Sequence, residues 1–436
     1  MVPTNRFLTL LLPALLPAAL ASVHPLFLPA ALGYAGILSI ALLLDAASLP
    51  RREQLAVRRD VPPTLSLAEP ARVALRVRSL RPGTIVVEWR DAPPLPFRDG
   101  AVPVPIAIPD GAEASWGYAV TPLERGEHAF GPLHLRVRSP LGLAARRYVY
   151  PLSSAVRVLP DLRPLAGGPG LLSRRGARAT GLRNLRQRGE GREFESLKEY
   201  AAEDEFRTID WKATARTGRL ISRQYQAERD QIVLLLLDAG RNLSPRAGDL
   251  TRFDHAVNAA LRLAAVAVEA GDQVGLLAFS SEVRAFLAPR KGRRQLRKIA
   301  EALGPLMPDE TEADYASAFG FVRARLRRRA LLVLFTELME PESSRVLLRN
   351  FLALLPRHLP FCLTLADPEL VSLTDLVPRG AADAYLLTMA REFEEDRRRT
   401  RAILRNQGAL VAEVPAEGLA GAAVRRYLDI KERGLL

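Results

Sequence analysis

Residues 232–238 read IVLLLLD, and residues 253–271 read FDHAVNAALRLAAVAVEAG. The first stretch is a continuous apolar run of strand length, whereas the second repeats its apolar residues at helical spacing. Further apolar runs occur at 273–280 (QVGLLAFS), 330–336 (ALLVLFT) and 359–366 (LPFCLTLA), with helical patterns between them. Short apolar strands separated by helices are typical of a parallel sheet covered on both faces. Residues 231–436 are therefore predicted to form a doubly wound α/β domain.

Residues 60–162 show a different pattern, in which short apolar stretches alternate with Pro, Gly and Asp turn signals. Within ARVALRVRSL, the side chains of Val73, Leu75 and Val77 fall on one face of a strand. Several such strands in about 100 residues, with no helical period, predict a β-sandwich.

Residues 163–192 are rich in Gly and Arg and contain few large apolar side chains. Such a composition predicts an exposed linker between the two domains. An alternative, which the sequence leaves open, is that the arginines of this linker dock acidic loops of a partner.

Residues 1–50 contain two uncharged apolar stretches, at 7–22 and 26–44. The second is long enough to cross a hydrocarbon core of about 30 Å at about 1.5 Å per residue. The first is shorter and contains two prolines, so the sequence allows either a second membrane helix or the apolar region of a signal peptide. We predict two transmembrane helices.

The segment RREQLAVRRD, residues 51–60, follows the second apolar stretch directly. Arginine clusters of this kind stay on the cytoplasmic side of a membrane. Both interpretations of the first stretch therefore place the remaining chain in the cytoplasm. The sequence predicts a multi-pass protein of a bacterial inner membrane.

The chain has a formal net charge of +14, from 62 basic and 48 acidic residues. The arginines are spread through every segment, without a recognition-helix pattern or interleaved aromatic residues, so we predict no nucleic-acid partner. Attraction to anionic lipid headgroups fits this distribution better. The one cysteine, Cys362, cannot form an intrachain disulfide and is predicted to be a small buried apolar residue.

Three acidic residues directly follow predicted strands: Asp238, Glu337 and Asp367. Ligands of open α/β sheets bind at the carboxyl ends of the strands, where carboxylates can coordinate Mg²⁺. Each of the three could instead cap the following helix. We expect a cap at Asp367, whereas the sequence leaves both interpretations open at Asp238.

Residues 193–216 read EFESLKEYAAEDEFRTIDWKATAR. This segment resembles the signature of the family catalogued as domain of unknown function 58, F-x-x-L-R-E-Y-x-x-G-D-x-x-R-x-I-D-W-K-x-x-A-R. The segment SPLGL at 139–143 and the two N-terminal apolar stretches are also similar to the family. The resemblance implies an anchored protein with a von Willebrand factor A-like domain. It also implies a MoxR-type AAA+ ATPase and neighbouring membrane proteins as partners, because proteins of this family are often encoded beside such ATPases and beside transglutaminase-like membrane proteins.

In related von Willebrand factor A domains, a metal-ion-dependent adhesion site uses D-x-S-x-S, a threonine and an aspartate. Here the first motif reads DAGRN, so both serines are absent, and Ala313 stands at the threonine position. The resemblance therefore implies a degenerate site with fewer hydroxyl ligands. Its residues would be Asp238, Asn242, Thr311, Asp314 and Glu337.

This degenerate site predicts weak Mg²⁺ binding or none, and no other cofactor. Arg241 adds a positive charge beside the predicted metal position. A guanidinium binds a carboxylate in bidentate fashion without a cation. We therefore predict that a carboxylate of a partner pairs directly with Arg241.

The family signature segment, residues 193–230, also mixes both charges with an aromatic side chain. Such a set could form a docking surface or an internal ion-pair network that locks this segment onto the α/β domain, and we favour the network. The residues concerned are Arg207, Asp210, Trp211, Lys212 and Arg216.

Evidence for catalysis is sparse, because the five histidines lack ligand spacing and no nucleophile elbow or phosphate-binding loop occurs. A hydrolase that uses Asp238 and Glu337 as paired carboxylates is a remote alternative. We predict a membrane-anchored cytoplasmic adaptor, not an enzyme, that acts with a MoxR-type AAA+ ATPase in assembling or remodelling protein complexes. The alternative is a structural scaffold that holds neighbouring membrane proteins together without an ATPase partner.

Overall fold

The computed structural model describes residues 2–20, 24, 27–100, 104–160, 193–200, 206, 209–226, 230–338 and 344–436. The chain divides into two compact units, residues 1–159 and residues 160–436. The predicted linker at 163–192 lies outside the described residues.

The first unit begins with strand β1 (Val2–Pro3) and two helical stretches. Helix α1 (Asn5–Leu11) continues through a 3₁₀ turn (Leu12–Ala14) into α2 (Leu15–Leu20), and α3 (Phe27–Ala47) follows. Among the described residues, α3 is the one helix that is long and apolar enough to cross a membrane. Pro13 removes a backbone donor where the first stretch turns from α-helical to 3₁₀ geometry.

The remainder of this unit consists mainly of antiparallel strands in three sheets, with orders β1-β11-β10-β5-β7, β2-β4-β8-β6 and β3-β12-β9. The strands after β1 are β2 (Leu55–Asp60), β3 (Thr64–Ser66), β4 (Ala71–Ser79), β5 (Ile85–Arg90), β6 (Phe97–Asp99), β7 (Ile106–Ile108), β8 (Glu113–Pro122), β9 (Gly126–Phe130), β10 (Leu133–Arg138), β11 (Ala144–Tyr150) and β12 (Ser154–Leu159).

The two larger sheets pack face to face. The ring of Trp89 on β5 lies 5.9 Å from that of Trp116 on β8, which belongs to the opposite sheet. Val73, Leu75 and Val77 of β4 are completely buried, as their alternation predicts. The strands between residues 55 and 159 therefore form packed, mainly antiparallel sheets, and we call this part of the unit the β-sandwich.

The second unit begins with the hairpin β13 (Glu193–Glu199) and β14 (Ile221–Gln226), which pair antiparallel around helix α4 (Trp211–Thr217). Its other strands are β15 (Ile232–Asp238), β16 (Arg246–Ala247), β17 (Leu250–Thr251), β18 (Gln273–Phe279), β19 (Val283–Arg290), β20 (Leu331–Phe335), β21 (Leu359–Leu365) and β22 (Leu410–Val414). Its other helices are α5 (Arg252–Glu269), α6 (Arg293–Leu303), α7 (Tyr315–Arg325), α8 (Arg345–Leu352), α9 (Pro368–Thr374), α10 (Ala381–Asn406) and α11 (Leu419–Glu432).

The main sheet has the order β19-β18-β15-β20-β21-β22. Counted along the chain, this is the order 3-2-1-4-5-6 of a doubly wound α/β fold. All neighbouring pairs are parallel except β18 and β19. The prediction of a doubly wound sheet is confirmed, while the antiparallel edge strand β19 was not anticipated.

The central strand β15 shows why the sheet is buried on both faces. Val233, Leu235 and Leu237 pack against α5, α6 and α11 on one face. Ile232, Leu234 and Leu236 pack against α7 and α8 on the other. A continuous apolar strand is required because alternate side chains enter two different cores.

Candidate functional site at the carboxyl edge of the sheet

Asp238, the last residue of β15, has no solvent exposure. One carboxylate oxygen accepts a hydrogen bond from the Gly240 backbone N–H at 2.9 Å. The other accepts from the hydroxyls of Tyr315, at 2.7 Å, and Thr336, at 2.6 Å. Burial raises the pKa of Asp238 above its ordinary value, although these three hydrogen bonds act in the opposite direction. Both oxygens of this carboxylate are thus bound by donors of the protein itself.

The turn after Asp238 passes very close to the loop that contains Thr311. The Arg241 backbone N–H donates to the Thr311 carbonyl at 2.8 Å. A Cβ atom at Gly240 would lie 2.9 Å from that same carbonyl oxygen, which is closer than real Cβ contacts come. A glycine is required here because the two loops close over the buried carboxylate.

Glu337 lies two residues beyond the end of β20, and only 3% of its surface is exposed. An Nη1 of Arg397 lies 2.6 Å from Oε1, and an Nη1 of Arg252 lies 3.4 Å from Oε2. Burial raises the pKa of Glu337 from 4.5 to about 7, although both arginines act in the opposite direction. This buried carboxylate is therefore held by two cationic side chains.

Arg397 comes from the middle of the long helix α10 and is itself buried. Its Nη2 donates to the Leu365 carbonyl at 2.7 Å and to Glu413 at 3.0 Å. One turn later, Arg401 also pairs with Glu413. Helix α10 thus places two arginines over the ends of the last strands and joins them into one ion-pair network.

Asn242, Thr311 and Asp314, the other predicted metal ligands, have separate local roles. The Asn242 side chain interacts with the Tyr315 hydroxyl, and the hydroxyl of Thr311 donates to Asp309. Asp314 caps α7, where it accepts from the Ser317 backbone N–H at 3.0 Å.

The donor set at this edge does not fit Mg²⁺, which needs several free oxygens around one point. Both oxygens of Asp238 already accept hydrogen bonds from the protein, and Glu337 faces two guanidinium groups. Within the part of the chain that the structure describes, no group of three or more acidic, His or Cys side chains is arranged to hold a metal ion.

Two further sequence predictions concern single side chains. Asp367 caps α9 by accepting from the backbone N–H groups of Glu369 and Leu370, and it also pairs with Arg252 at 2.6 Å. Cys362 is completely buried in β21. The predicted helix cap and the predicted buried apolar cysteine are both confirmed.

The rim of this edge is the exposed part formed by Arg241 and Glu312. The Arg241 side chain is 58% exposed and has an Nη2 3.5 Å from the carboxylate of Glu312, which is also exposed. The rim is therefore open to solvent, whereas the two carboxylates beneath it, Asp238 and Glu337, are not.

In the family signature segment, Asp210 caps α4 by accepting from the backbone N–H groups of Lys212 and Ala213. Trp211 is exposed, and its ring lies 5.8 Å from that of Phe206. Lys212 and Arg216 are exposed as well. Arg207 lies outside the described residues, so the ion-pair network expected around it stays a prediction.

Residues 196–407 match the family described as "Protein of unknown function DUF58". The chain contains a DUF58 domain. An uncharacterized protein of Mycobacterium tuberculosis and one of Mycobacterium bovis are each 28% identical to the chain over 212 residues. Each match covers 48% of this chain and 65% of the relative's length.

Among solved structures, the chain is similar to the conserved hypothetical protein BatB from Bacteroides thetaiotaomicron, with 13% identity and a TM-score of 0.30. The match covers 46% of this chain and 98% of BatB. The DUF58 match begins in β13 and ends just after α10. It includes Asp238, Glu337 and Arg397, whereas Glu413, which also pairs with Arg397, lies just beyond its end.

Proposed function

We propose that this protein is a membrane-anchored cytoplasmic adaptor whose DUF58 domain binds a partner protein at the rim of the sheet's carboxyl edge, without a metal ion and without catalysis. The burial and internal pairing of Asp238 and Glu337 carries the proposal. A catalytic carboxylate or a metal ligand must reach its substrate or ion, and both groups are covered. The exposed rim at Arg241 supports a docking role instead.

Arg241 has the properties that a contact to an acidic partner needs. Its pair with Glu312 is exposed and long, at 3.5 Å, and such surface pairs contribute little to stability. A partner carboxylate can therefore replace Glu312 at small cost and form two parallel hydrogen bonds with the guanidinium. In this arrangement the guanidinium takes the place that a cation has in a metal-dependent adhesion site.

The partner that the family resemblance suggests is a MoxR-type AAA+ ATPase, with a role in the assembly or remodelling of protein complexes. Affinity capture of the full chain in gentle detergent, with and without ATP, tests this proposal. We expect nucleotide-sensitive recovery of an AAA+ ATPase, and a several-fold lower recovery with Arg241→Glu. The control variant is Glu269→Arg, which also reverses the charge of one side chain but does so at the end of α5.

Recovery of membrane proteins alone, with no ATPase at any nucleotide concentration, would contradict the adaptor proposal. That outcome would favour a structural scaffold. Equal recovery of the ATPase with wild type and Arg241→Glu would keep the partner and refute the proposed contact at the rim.

We further propose that both N-terminal apolar stretches cross the membrane as a hairpin. The residue before α1 and a residue near the end of α3 bind the same loop, at 139–143. Thr4 donates its backbone N–H to Leu143 at 2.9 Å, and Asp45 accepts from the Leu143 N–H at 2.9 Å. The Tyr34 hydroxyl also donates to the Leu10 carbonyl at 2.7 Å, which joins the two stretches at one further point.

This hairpin places the N-terminus on the same side of the membrane as the β-sandwich, which the arginine cluster assigns to the cytoplasm. The intact mass of the purified membrane protein tests it. We expect residues 1–26 to be present. A mature chain that begins between the two apolar stretches would show that the first is a signal peptide.

A further inference from the structure

Two loops of the β-sandwich surround the end of the membrane-crossing helix α3. The first connects β10 and β11, at residues 139–143. Asp45, near the end of α3, is buried and accepts from the backbone N–H groups of Leu141, at 3.0 Å, and Leu143, at 2.9 Å. The Ser139 hydroxyl also donates to Asp45. This carboxylate fixes the loop against the helix end.

The second loop connects β4 and β5, at residues 80–84. An Nη1 of Arg81 donates to the Leu49 carbonyl at 3.0 Å, just after α3 ends. The Leu80 N–H donates to the Gln54 carbonyl at 2.8 Å. Because Val86 on β5 pairs with Arg138 on β10, the two loops lie at the same end of the sandwich.

Each loop exposes one leucine. The exposed fraction is 60% for Leu80 and 58% for Leu141. A single exposed leucine needs no explanation, but two that flank the end of one membrane-crossing helix lie where the bilayer interface must be. Leu95 provides a contrast, because it follows the opposite end of β5 and is fully exposed.

The charged residues at this end are mainly arginines. Arg6 donates from its Nη1 to the Leu141 carbonyl at 2.9 Å, and Arg81 contacts the residues after α3. Arg51 and Arg52 follow α3 and are exposed. Of the acidic residues here, Asp45 is buried and bonded. Glu53 is exposed, and so are Asp110 and Glu113, which the pairing of β7 with β5 and of β8 with β4 places at this same end.

We infer that this end of the sandwich is a membrane-seating surface, made of loops 80–84 and 139–143 with Arg6, Arg51, Arg52 and Arg81. Leu80 and Leu141 enter the interfacial layer of the bilayer, and the arginines bind the phosphates of anionic lipids. The inference rests on the membrane anchoring proposed above. It goes beyond anchoring because it makes the soluble sandwich itself a lipid-contacting domain.

The test uses the full chain with Cys362→Ala and single labelling sites at Leu80→Cys, Leu141→Cys and, as the matched control, Leu95→Cys. Each cysteine carries an environment-sensitive fluorophore, and the proteins are reconstituted in nanodiscs that contain headgroup-region quencher lipids. We expect the quencher lipids to lower the fluorescence several-fold for labels at positions 80 and 141 and to leave it unchanged at position 95. Equal quenching at all three positions, or none at 80 and 141, would overturn the inference.

A comparison of phosphatidylcholine nanodiscs with nanodiscs that also contain phosphatidylglycerol tests the arginine contacts. We expect more quenching with the anionic lipid, and loss of that increase in Arg51→Gln/Arg52→Gln. No dependence on the anionic lipid would refute the phosphate contacts. Failure of the protein to stay with the nanodiscs at all would contradict the anchoring, which is a different result from exposed labels on an anchored protein.

Discussion

Asp238 and Glu337 lie at the carboxyl ends of the neighbouring strands β15 and β20, and both are buried, yet the protein holds them in opposite ways. Neutral donors surround Asp238, namely two hydroxyls and one backbone N–H. Two guanidinium groups face Glu337. Hydrogen bonds from neutral groups leave a net charge buried, whereas an ion pair cancels it but depends on both partners. The two sites should therefore respond differently to the loss of one partner.

The largest effect is expected from Arg397→Met. The substitution leaves Glu337 buried beside the more distant Arg252, and loss of one partner of a buried ion pair typically costs about 3–5 kcal/mol. We expect a decrease of that size in the free energy of unfolding of the DUF58 domain, measured by urea denaturation of the full chain in detergent. The measurement is made at about pH 8, where Glu337 is ionised.

The double variant Glu337→Gln/Arg397→Met is the control for this prediction. It removes the buried charge together with its partner, so it should recover more than half of the lost stability. If Arg397→Met alone costs under about 1 kcal/mol, the ion pair is not the interaction that holds this edge together.

The pH dependence of stability should separate Glu337 from its neighbours. Because the pKa of Glu337 is raised from 4.5 to about 7 in the folded state, protonation stabilises the fold. This contribution is complete below about pH 4.5 and is lost as the pH rises through about 7, with a total of about 3 kcal/mol. Glu337→Gln should lack this decrease. An identical pH profile for both proteins between about pH 5 and pH 8 would contradict the assignment.

At Asp238, removal of one donor should have a smaller effect. Tyr315→Phe leaves the carboxylate with the Thr336 hydroxyl and the Gly240 N–H, at an expected cost of about 1–3 kcal/mol. Tyr427→Phe is the matched control, because the Tyr427 hydroxyl also donates to a buried carboxylate, Asp272, which keeps the ammonium of Lys431. We expect the Tyr315 variant to lose more stability in urea denaturation. The reverse order would contradict the role given to the Tyr315 hydroxyl.

The smallest effect is expected at Asp314, which the sequence placed in the metal site and the structure places at a helix cap. Asp314→Ala removes the acceptor for the Ser317 N–H and should cost about 1 kcal/mol. The same loss in the presence and absence of Mg²⁺ would support a cap, while a loss seen only with Mg²⁺ would indicate a ligand.

The sequence predicts the parts of this fold that depend on local pattern. The apolar run at 232–237 predicts a strand buried on both faces, and the alternation of Val73, Leu75 and Val77 predicts a strand with one buried face. Asp367 before Pro368 predicts a helix cap, because the cap and the N–H groups that it binds lie within three residues. Each of these signals is carried by neighbouring residues.

The missing parts depend on contacts between residues far apart in the chain. Tyr315 and Thr336 bind Asp238 across 77 and 98 residues, so no spacing rule identifies them. Strand β19 contains a proline, and its residues are partly buried or exposed with none fully buried, which obscures the strand pattern. Arg397 and Arg401 lie four residues apart on α10, and this spacing predicts that they share one face of the helix. It does not predict which glutamates that face contacts.

Isothermal titration calorimetry of Mg²⁺ with the full chain in detergent tests the central claim that the carboxyl edge of this sheet is closed to a cation. We expect no saturable heat, in the wild type or in Asp238→Asn. Saturable binding at micromolar Mg²⁺ that disappears in Asp238→Asn would show that the edge opens to hold a metal ion, and it would contradict this account.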